Sequence, residues 1–185
     1  MNAHRSLTQL AHQRLAELLQ PGDLAVDATA GNGHDTLFLA QRVTETGKVY
    51  AFDVQTRALD ATALRLEQAG LRETVALCHS GHERMLVRIP EDWLGKVSAV
   101  TFNLGYLPGS DKQTTTGPAS TLPALDQALA LLRRGGMLSV MAYRGHAGGM
   151  DEADTVARWC ESHAGQLACE AHESPGPVWH CCIKR

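Results

Sequence analysis

Three short segments hold the residue types that can do chemistry. The first is Val26-Asp27-Ala28-Thr29-Ala30-Gly31-Asn32-Gly33-His34-Asp35, where an apolar run passes through a glycine-rich turn into a helical stretch. Gly31 and Gly33 let the backbone approach a ligand without a side chain between them. A dinucleotide fingerprint needs a third small residue at position 36, and Thr36 stands there. Asp27 sits at the mouth of the turn, where a carboxylate repels a pyrophosphate and attracts an ammonium group. S-adenosylmethionine carries an ammonium, a sulfonium and one carboxylate, but no phosphate. Its carboxylate suits the amides of a helix N-terminus. Asp27, Thr29, Gly31, Asn32, Gly33, His34 and Asp35 therefore read as a cradle for that cofactor. The competing reading of Asp27 is an acid that caps the turn.

Asp53 ends the next apolar run, 20 residues after Gly33. An acid at that place accepts the two ribose hydroxyls of an adenosine; its alternative is the N-cap of the following helix. Gln55 is near enough to assist, or is an exposed helix residue. Ser80 and His82, in Cys78-His79-Ser80-Gly81-His82-Glu83, fall where this kind of fold borders an adenine, with capping as the alternative for Ser80.

The second segment is Phe102-Asn103-Leu104-Gly105-Tyr106-Leu107-Pro108. An Asn at a strand end takes a proton of an amine onto its amide oxygen and aims the nitrogen lone pair. A Tyr three residues on stacks on a flat base. The order is close to the Asn-Pro-Pro-Tyr motif of amino-methylating enzymes without being identical. Asn103 also has a reading as a turn residue, and Tyr106 as a buried aromatic. The third segment is Tyr143-Arg144-Gly145-His146. It reads as a substrate rim in which Tyr143 stacks a base, Arg144 meets a phosphate and His146 accepts a proton. Lys112, in the polar loop 105–120, is a phosphate or sugar contact or solvated surface. Asn103, Tyr106 and His146 are thus the candidate catalytic residues, and Asn103 is a candidate cofactor contact as well. Tyr106, Lys112, Tyr143, Arg144 and His146 are the candidate substrate contacts.

Elements of one regular kind must position these segments. Leu7, Leu10, Ala11, Leu15 and Leu18 line one face of a helix closed by Pro21-Gly22. Strands are expected at 24–28, 48–53, 74–78, 97–102 and 137–142, with helices between them at about 35–43, 59–70, 83–87 and 122–134. Thr121 is the expected N-cap of the helix at 122–134, and Gly135 lies past its end. A helix at 152–163 and two strands, 166–171 and 178–184, complete the pattern. Alternating strands and helices pair in parallel through right-handed crossovers. The last two strands lack a helix between them and must form an antiparallel hairpin. The expected fold class is α/β: a Rossmann-like, class I methyltransferase sheet of seven mostly parallel strands, with the hairpin at its C-terminal end and helices on both faces. The chain reads as one domain over 1–185, with an N-terminal helix in 1–20 and the core in 21–185.

Composition sets the outer limits. The 185 residues hold 44% apolar residues and a net charge of −3, which fits a globular protein and not a disordered or strongly basic one. No apolar run approaches a membrane span, and Met1 to Ser6 lack the apolar stretch of a signal peptide. A cytoplasmic location follows as the expectation, with no membrane partner. The five cysteines, Cys78, Cys160, Cys169, Cys181 and Cys182, form no CxxC pair. Reduced thiols and no metal are the expectation. Cys181 and Cys182 are adjacent and point to opposite faces of a strand.

Three motifs in order, Asp27-Ala-Thr-Ala-Gly-Asn-Gly-His-Asp-Thr36, Phe102-Asn-Leu-Gly-Tyr-Leu-Pro108 with Asp111-Lys112, and Tyr143-Arg-Gly-His146, resemble the small bacterial proteins labelled rRNA methylases. The resemblance covers nearly the whole chain. It implies a class I methyltransferase that uses S-adenosylmethionine and acts on the tRNA anticodon arm. The implied reaction is N-methylation of the 5-aminomethyl group of 2-thiouridine at the wobble position. Two features depart from the family: Arg144 stands where relatives carry Pro, and the tail Trp179-His180-Cys181-Cys182 is unusual. A homodimer is compatible with so small an enzyme holding an anticodon arm. Three other readings stand beside this one. They are a methyltransferase acting on rRNA or a small amine, an NAD-binding oxidoreductase, and a non-enzymatic RNA-binding module. Arg5, His12, Arg14, Arg133, Arg134 and Arg144 are the candidate RNA face.

Overall fold

The computed structural model describes residues 6–105 and 115–185. Ser6 opens α1 (Leu7–Leu18) with a capping box: its hydroxyl accepts the Gln9 N–H at 3.2 Å, and the Gln9 side chain accepts the Ser6 N–H at 3.0 Å. Strands and helices then alternate as β1 (Leu24–Asp27), α2 (His34–Val43), β2 (Lys48–Asp53), α3 (Thr56–Gln68) and β3 (Val75–His79). A 3-10 turn at His82–Arg84 runs into α4 (Met85–Arg88). After it come β4 (Val97–Leu104), α5 (Pro118–Leu131), β5 (Leu132–Tyr143) and α6 (Gly149–Ser162). The hairpin β6 (Leu167–Glu173) and β7 (Pro177–Lys184) ends the chain. Among the described residues no helix is long and apolar enough to cross a membrane.

The sheet runs β3-β2-β1-β4-β5-β7-β6. The first five strands are parallel; β7 inserts antiparallel between β5 and β6. The order reverses between β1 and β4, and this is where an open α/β sheet leaves a crevice beyond its carboxyl ends. Strand alternation divides the core in two. Val26, Phe52, Val100, Phe102, Val140 and Cys182 face one side, with apolar residues of α4, α5 and α6. Ala25, Ala51, Ala99, Met141, Trp179 and Cys181 face the other, with those of α1, α2 and α3. Cys181 and Cys182 do point to opposite faces.

Three expectations are corrected. The helix expected at 122–134 begins at Pro118 and ends at Leu131, and Arg133 to Gly136 belong to β5. Leu132 already pairs with Val97, and the register then slips before Ala99 meets Met137. Gly135, at φ +71°, supplies the left-handed residue that this bulge requires. Thr121 does not cap α5: its hydroxyl donates to the buried Glu152 carboxylate at 2.6 Å, inside the protein. The five cysteines are not all thiols. Cys169 and Cys182 stand directly opposite each other across β6 and β7 and are joined as a disulfide, leaving Cys78, Cys160 and Cys181 free.

Candidate active site

A cavity of about 1110 Å³ opens across the carboxyl ends of β1, β2, β4 and β5. The turn after β1 forms its floor. Gly31 and Gly33 adopt φ +53° and +77°, and the Gly33 N–H closes the turn on the Ala30 carbonyl at 2.8 Å. Helix α3 clamps the turn from outside. Thr62 Oγ1 donates to the Gly31 carbonyl at 3.2 Å, and Arg65 Nε donates to the Asn32 carbonyl at 2.9 Å. A Cβ on Gly33 would lie 2.8 Å from the Thr62 Cα, so this glycine is required both by its φ and by the approach of α3. Gly33→Ala is expected to cost roughly 2 kcal/mol from backbone strain. That lowers the melting temperature by about 5 °C at this chain length. A thermal scan checks it, and an unchanged melting temperature contradicts the clamp.

Asp53 faces the cavity and is held by its own loop. Its two carboxylate oxygens accept the Gly31 N–H and the Gln55 N–H, each at 2.9 Å. An ionised carboxylate has about four acceptor positions, so the group retains capacity for two hydroxyls. Phe52, Val54, Gln55, Ser80, Gly81 and His82 continue this wall. The His82 ring donates to the Ala28 carbonyl. Burial holds its pKa below the ordinary histidine value, so it is neutral. Asn32 and the exposed His34 line the opposite lip.

Asp27 departs from its expected place. It is fully buried beneath the turn and does not line the cavity. Thr36 Oγ1 donates to one carboxylate oxygen at 2.6 Å and the Thr29 N–H to the other at 3.1 Å. The side chain at the end of β1 alternates toward α2, where Thr36, one turn into the helix, meets it. Burial, then the nearby Asp35 carboxylate, raise the Asp27 pKa from 3.8 to about 7. The folded protein thus binds this proton more tightly than the unfolded chain. Stability is therefore expected to decline as pH rises from about 4 to about 7, with the cost fully present above that window. Asp27→Asn removes this component. Urea unfolding at pH 5 and pH 8 is expected to show the variant gaining on the parent at the higher pH, and parallel behaviour contradicts the assignment.

Of the two acids flanking the glycine turn, the one that lines the cavity is Asp35, in the first turn of α2, where the helix dipole favours a negative charge. Its carboxylate joins two elements. His12 Nε2 of α1 lies 2.6 Å from one oxygen, and Asn103 Nδ2 of β4 donates to the other at 2.6 Å. Burial opposes ionisation, but the hydrogen bonds from His12 and Asn103 outweigh it and hold the pKa below the usual carboxylate value. An ionised Asp35 accepts and does not donate. The Asn103 amide must therefore present its NH₂ group to Asp35 and turn its carbonyl oxygen away. The Asn103 N–H is tied to Thr29 Oγ1 at 2.7 Å, fastening β4 to the glycine turn. Asn103 thus lies within β4 and is not a turn residue.

The rim is formed by the end of β5 and by α1. Tyr143 lines the cavity and is 40% exposed, which leaves ring surface for stacking. Its hydroxyl is hydrogen-bonded to Thr8 of α1, and burial raises its pKa. His146 lines the same wall and packs near Gly105 and Gly149, where added Cβ atoms would lie 3.6 and 2.9 Å from its Nε2. Arg144 also lines the cavity, and its head group is bonded to the adjoining hairpin. Its guanidinium donates to the carbonyls of Ser174 and Gly176 and pairs with Glu173 at 3.2 Å, clasping the β6–β7 turn. His12 is likewise no part of an open basic face, because it stacks on Phe38 at 4.1 Å between ring centroids. Arg14 pairs with Glu170 at 3.3 Å, and Arg133 donates to Ser98 at 3.0 Å. Tyr106, Lys112 and Arg5 lie outside the described residues. Sequence reasoning missed Thr8 on the cavity wall, and His12 and Arg65, which brace Asp35 and the glycine turn from behind. Only the position of α1 and α3 in space brings them there.

The sheet order, the glycine turn at its first crossover and a cavity over the strand ends define the class I methyltransferase fold. Within that class, the chain belongs to the family described as "Putative rRNA methylase", whose model matches residues 49–171. It is 37% identical over 96% of its length to the chloroplastic tRNA (mnm(5)s(2)U34)-methyltransferase of Arabidopsis thaliana, and spans 63% of that protein. Among solved structures it is similar to a protein of Clostridium thermocellum described as "putative rRNA-methylase". The identity there is 34%, the TM-score 0.92, and both chains are covered completely. It is also similar to a protein of Streptococcus mutans described as "a putative methyltransferase" and solved in complex with SAH. In that case the identity is 33% and the TM-score 0.87, with 99% of this chain and 100% of that one covered.

Proposed function

We propose that the protein is an S-adenosylmethionine-dependent methyltransferase. Its acceptor is the 5-aminomethyl group of 2-thiouridine at the tRNA wobble position. The observation that carries this reading is the Asp35–Asn103 hydrogen bond on the cavity wall, which fixes the asparagine amide with its carbonyl oxygen turned away from Asp35. A carbonyl oxygen held in that way accepts one N–H of a neutral amine and leaves the nitrogen lone pair to be aimed.

The cavity residues fit the donor. Asp53 retains acceptor capacity for ribose hydroxyls, the apolar Phe52 and Val54 and the neutral His82 suit a flat uncharged base, and Asp35 is an anion for an ammonium group. When bound, S-adenosylmethionine supplies an electrophilic methyl group on a sulfonium. This chain's own residues orient the acceptor and exclude water. Tyr143 stacks the extruded pyrimidine at the rim, as single-stranded loops allow. Tyr106 adds a second stacking surface, Lys112 meets the sugar or phosphate, and His146 takes up the proton released at nitrogen. Arg144 holds the hairpin turn beside the cavity. The relative from Arabidopsis carries the wobble-uridine activity in its name, and its 37% identity over nearly the whole chain favours this acceptor over rRNA or a free amine. Thr36, hydrogen-bonded to the buried Asp27 where a dinucleotide site needs a small residue, speaks against NAD. A cytoplasmic location suits a tRNA substrate.

Nucleoside mass spectrometry of tRNA from cells with and without the gene tests the reading. The deletion strain is expected to accumulate 5-aminomethyl-2-thiouridine and lose its N-methyl product, with both restored by the wild-type gene. An unchanged wobble profile contradicts the proposed acceptor.

A further inference from the structure

We propose that Cys169, Cys182 and Cys160 form a reversible thiol-modification site, entered at Cys169 by a low-molecular-weight thiol. None of the three lines the cavity, and the methyl-transfer reading uses none of them. Three elements bring their sulfurs within 4.8 Å of one another. Cys169 of β6 and Cys182 of β7 face each other directly in the hairpin register and are bonded. Cys160 comes from α6, and its Sγ is 3.7 Å from that of Cys182.

The three sulfurs have different exposures, and this gives the site a direction. Cys169 is exposed on the edge strand, whereas Cys160 and Cys182 are buried in the core between α6 and the sheet. An incoming thiolate reaches the Cys169 sulfur and not its partner. Attack there forms a bond between the incoming sulfur and Cys169 and breaks the Cys169–Cys182 bond, and the electron pair leaves on Cys182 Sγ. Burial pushes the Cys160 thiol up to about 11, so it keeps its proton and is a poor nucleophile. Its S–H is the nearby donor that receives the emerging Cys182 thiolate. A second thiolate then attacks the outer sulfur of the mixed disulfide and releases Cys169. In sum, one protein disulfide and two small thiols give two cysteine thiols and one small-molecule disulfide. The reverse sequence closes the bridge again. Cys181, on the other face of the sheet, is buried out of reach.

Purified full-length protein equilibrated in mixtures of reduced and oxidised glutathione provides the test, read by intact mass and peptide mapping after acid quenching. The expected results are a form two hydrogens lighter than the all-thiol chain, with Cys169 and Cys182 linked, and a form one glutathione heavier, with the adduct on Cys169. Cys160→Ala is expected to slow opening of the bridge about tenfold, because the leaving thiolate loses its neighbouring donor. Cys169→Ser is expected to abolish both linkage and adduct while retaining the parent circular dichroism spectrum. The proposal is overturned if no linked form appears in oxidised glutathione. Adducts distributed over Cys78 or Cys181, or a native mass showing zinc held by three thiolates, would overturn it equally.

Discussion

Replacing Asn103 with Ala is expected to lower methyl transfer about a hundredfold while leaving the dissociation constant for S-adenosylmethionine within about threefold of the parent. Small errors in the placement of a nucleophile cost on that scale, because alignment of the reacting atoms supplies much of the rate. The substitution removes the amide that Asp35 orients and leaves Asp53, the glycine turn and the His82 wall intact. His12→Ala provides the companion measurement. It deletes the other group bonded to the Asp35 carboxylate, 2.6 Å away, and frees that carboxylate to move. Since His12 reaches the site through Asp35, its loss is expected to lower kcat at saturating donor about tenfold, with a much smaller change in the KM for the acceptor. Calorimetry for the donor and initial rates for the acceptor separate the two quantities. If Asn103→Ala weakens donor binding as much as it slows transfer, the residue holds the cofactor and the amine-orienting role is wrong.

Asp53→Ala is expected to act on the opposite quantity. Two hydroxyls lose a charged acceptor, at roughly 1.5 kcal/mol each. The sum, about 3 kcal/mol, is on the order of a hundredfold in Kd. Asp53 also accepts the Gly31 and Gln55 N–H groups, so its removal loosens the turn that forms the cavity floor. Asp53→Asn separates the two contributions, because one amide oxygen still accepts while the charge is gone. Its affinity is expected to fall between those of the parent and the Ala variant. Saturating donor should restore turnover in both variants. An unchanged Kd in Asp53→Ala contradicts the ribose-binding role.

The parallel sheet and its terminal hairpin were legible because short continuous apolar runs with helices between them leave few other topologies. The end of α5 was not. Leu131-Leu132-Arg133-Arg134 continues a helical pattern, and only pairing of Leu132 with Val97 reveals that the chain has already entered β5. Asp53 and Asn103 stand at strand ends in the sequence, and the structure puts both on the cavity wall. Asp27 was misplaced for a physical reason: two carboxylates flank the turn, and the sequence does not say which one faces solvent. Thr36, one helical turn into α2, settles this by bonding Asp27 from within and leaving Asp35 at the cavity. The role of α1 was invisible, since His12 reaches Asp35 only across 23 residues and a strand. The Cys169–Cys182 bridge depends on hairpin register, which the turn at Pro175-Gly176-Pro177 sets and composition does not.

The most direct test uses purified protein, labelled S-adenosylmethionine and two tRNA pools that differ only in the aminomethyl group on the wobble 2-thiouridine. Products are digested and separated as nucleosides. Label is expected in 5-methylaminomethyl-2-thiouridine from the aminomethylated pool and in nothing from the other. Label in the pool without the amine, or in another nucleoside of either pool, would contradict the proposed acceptor.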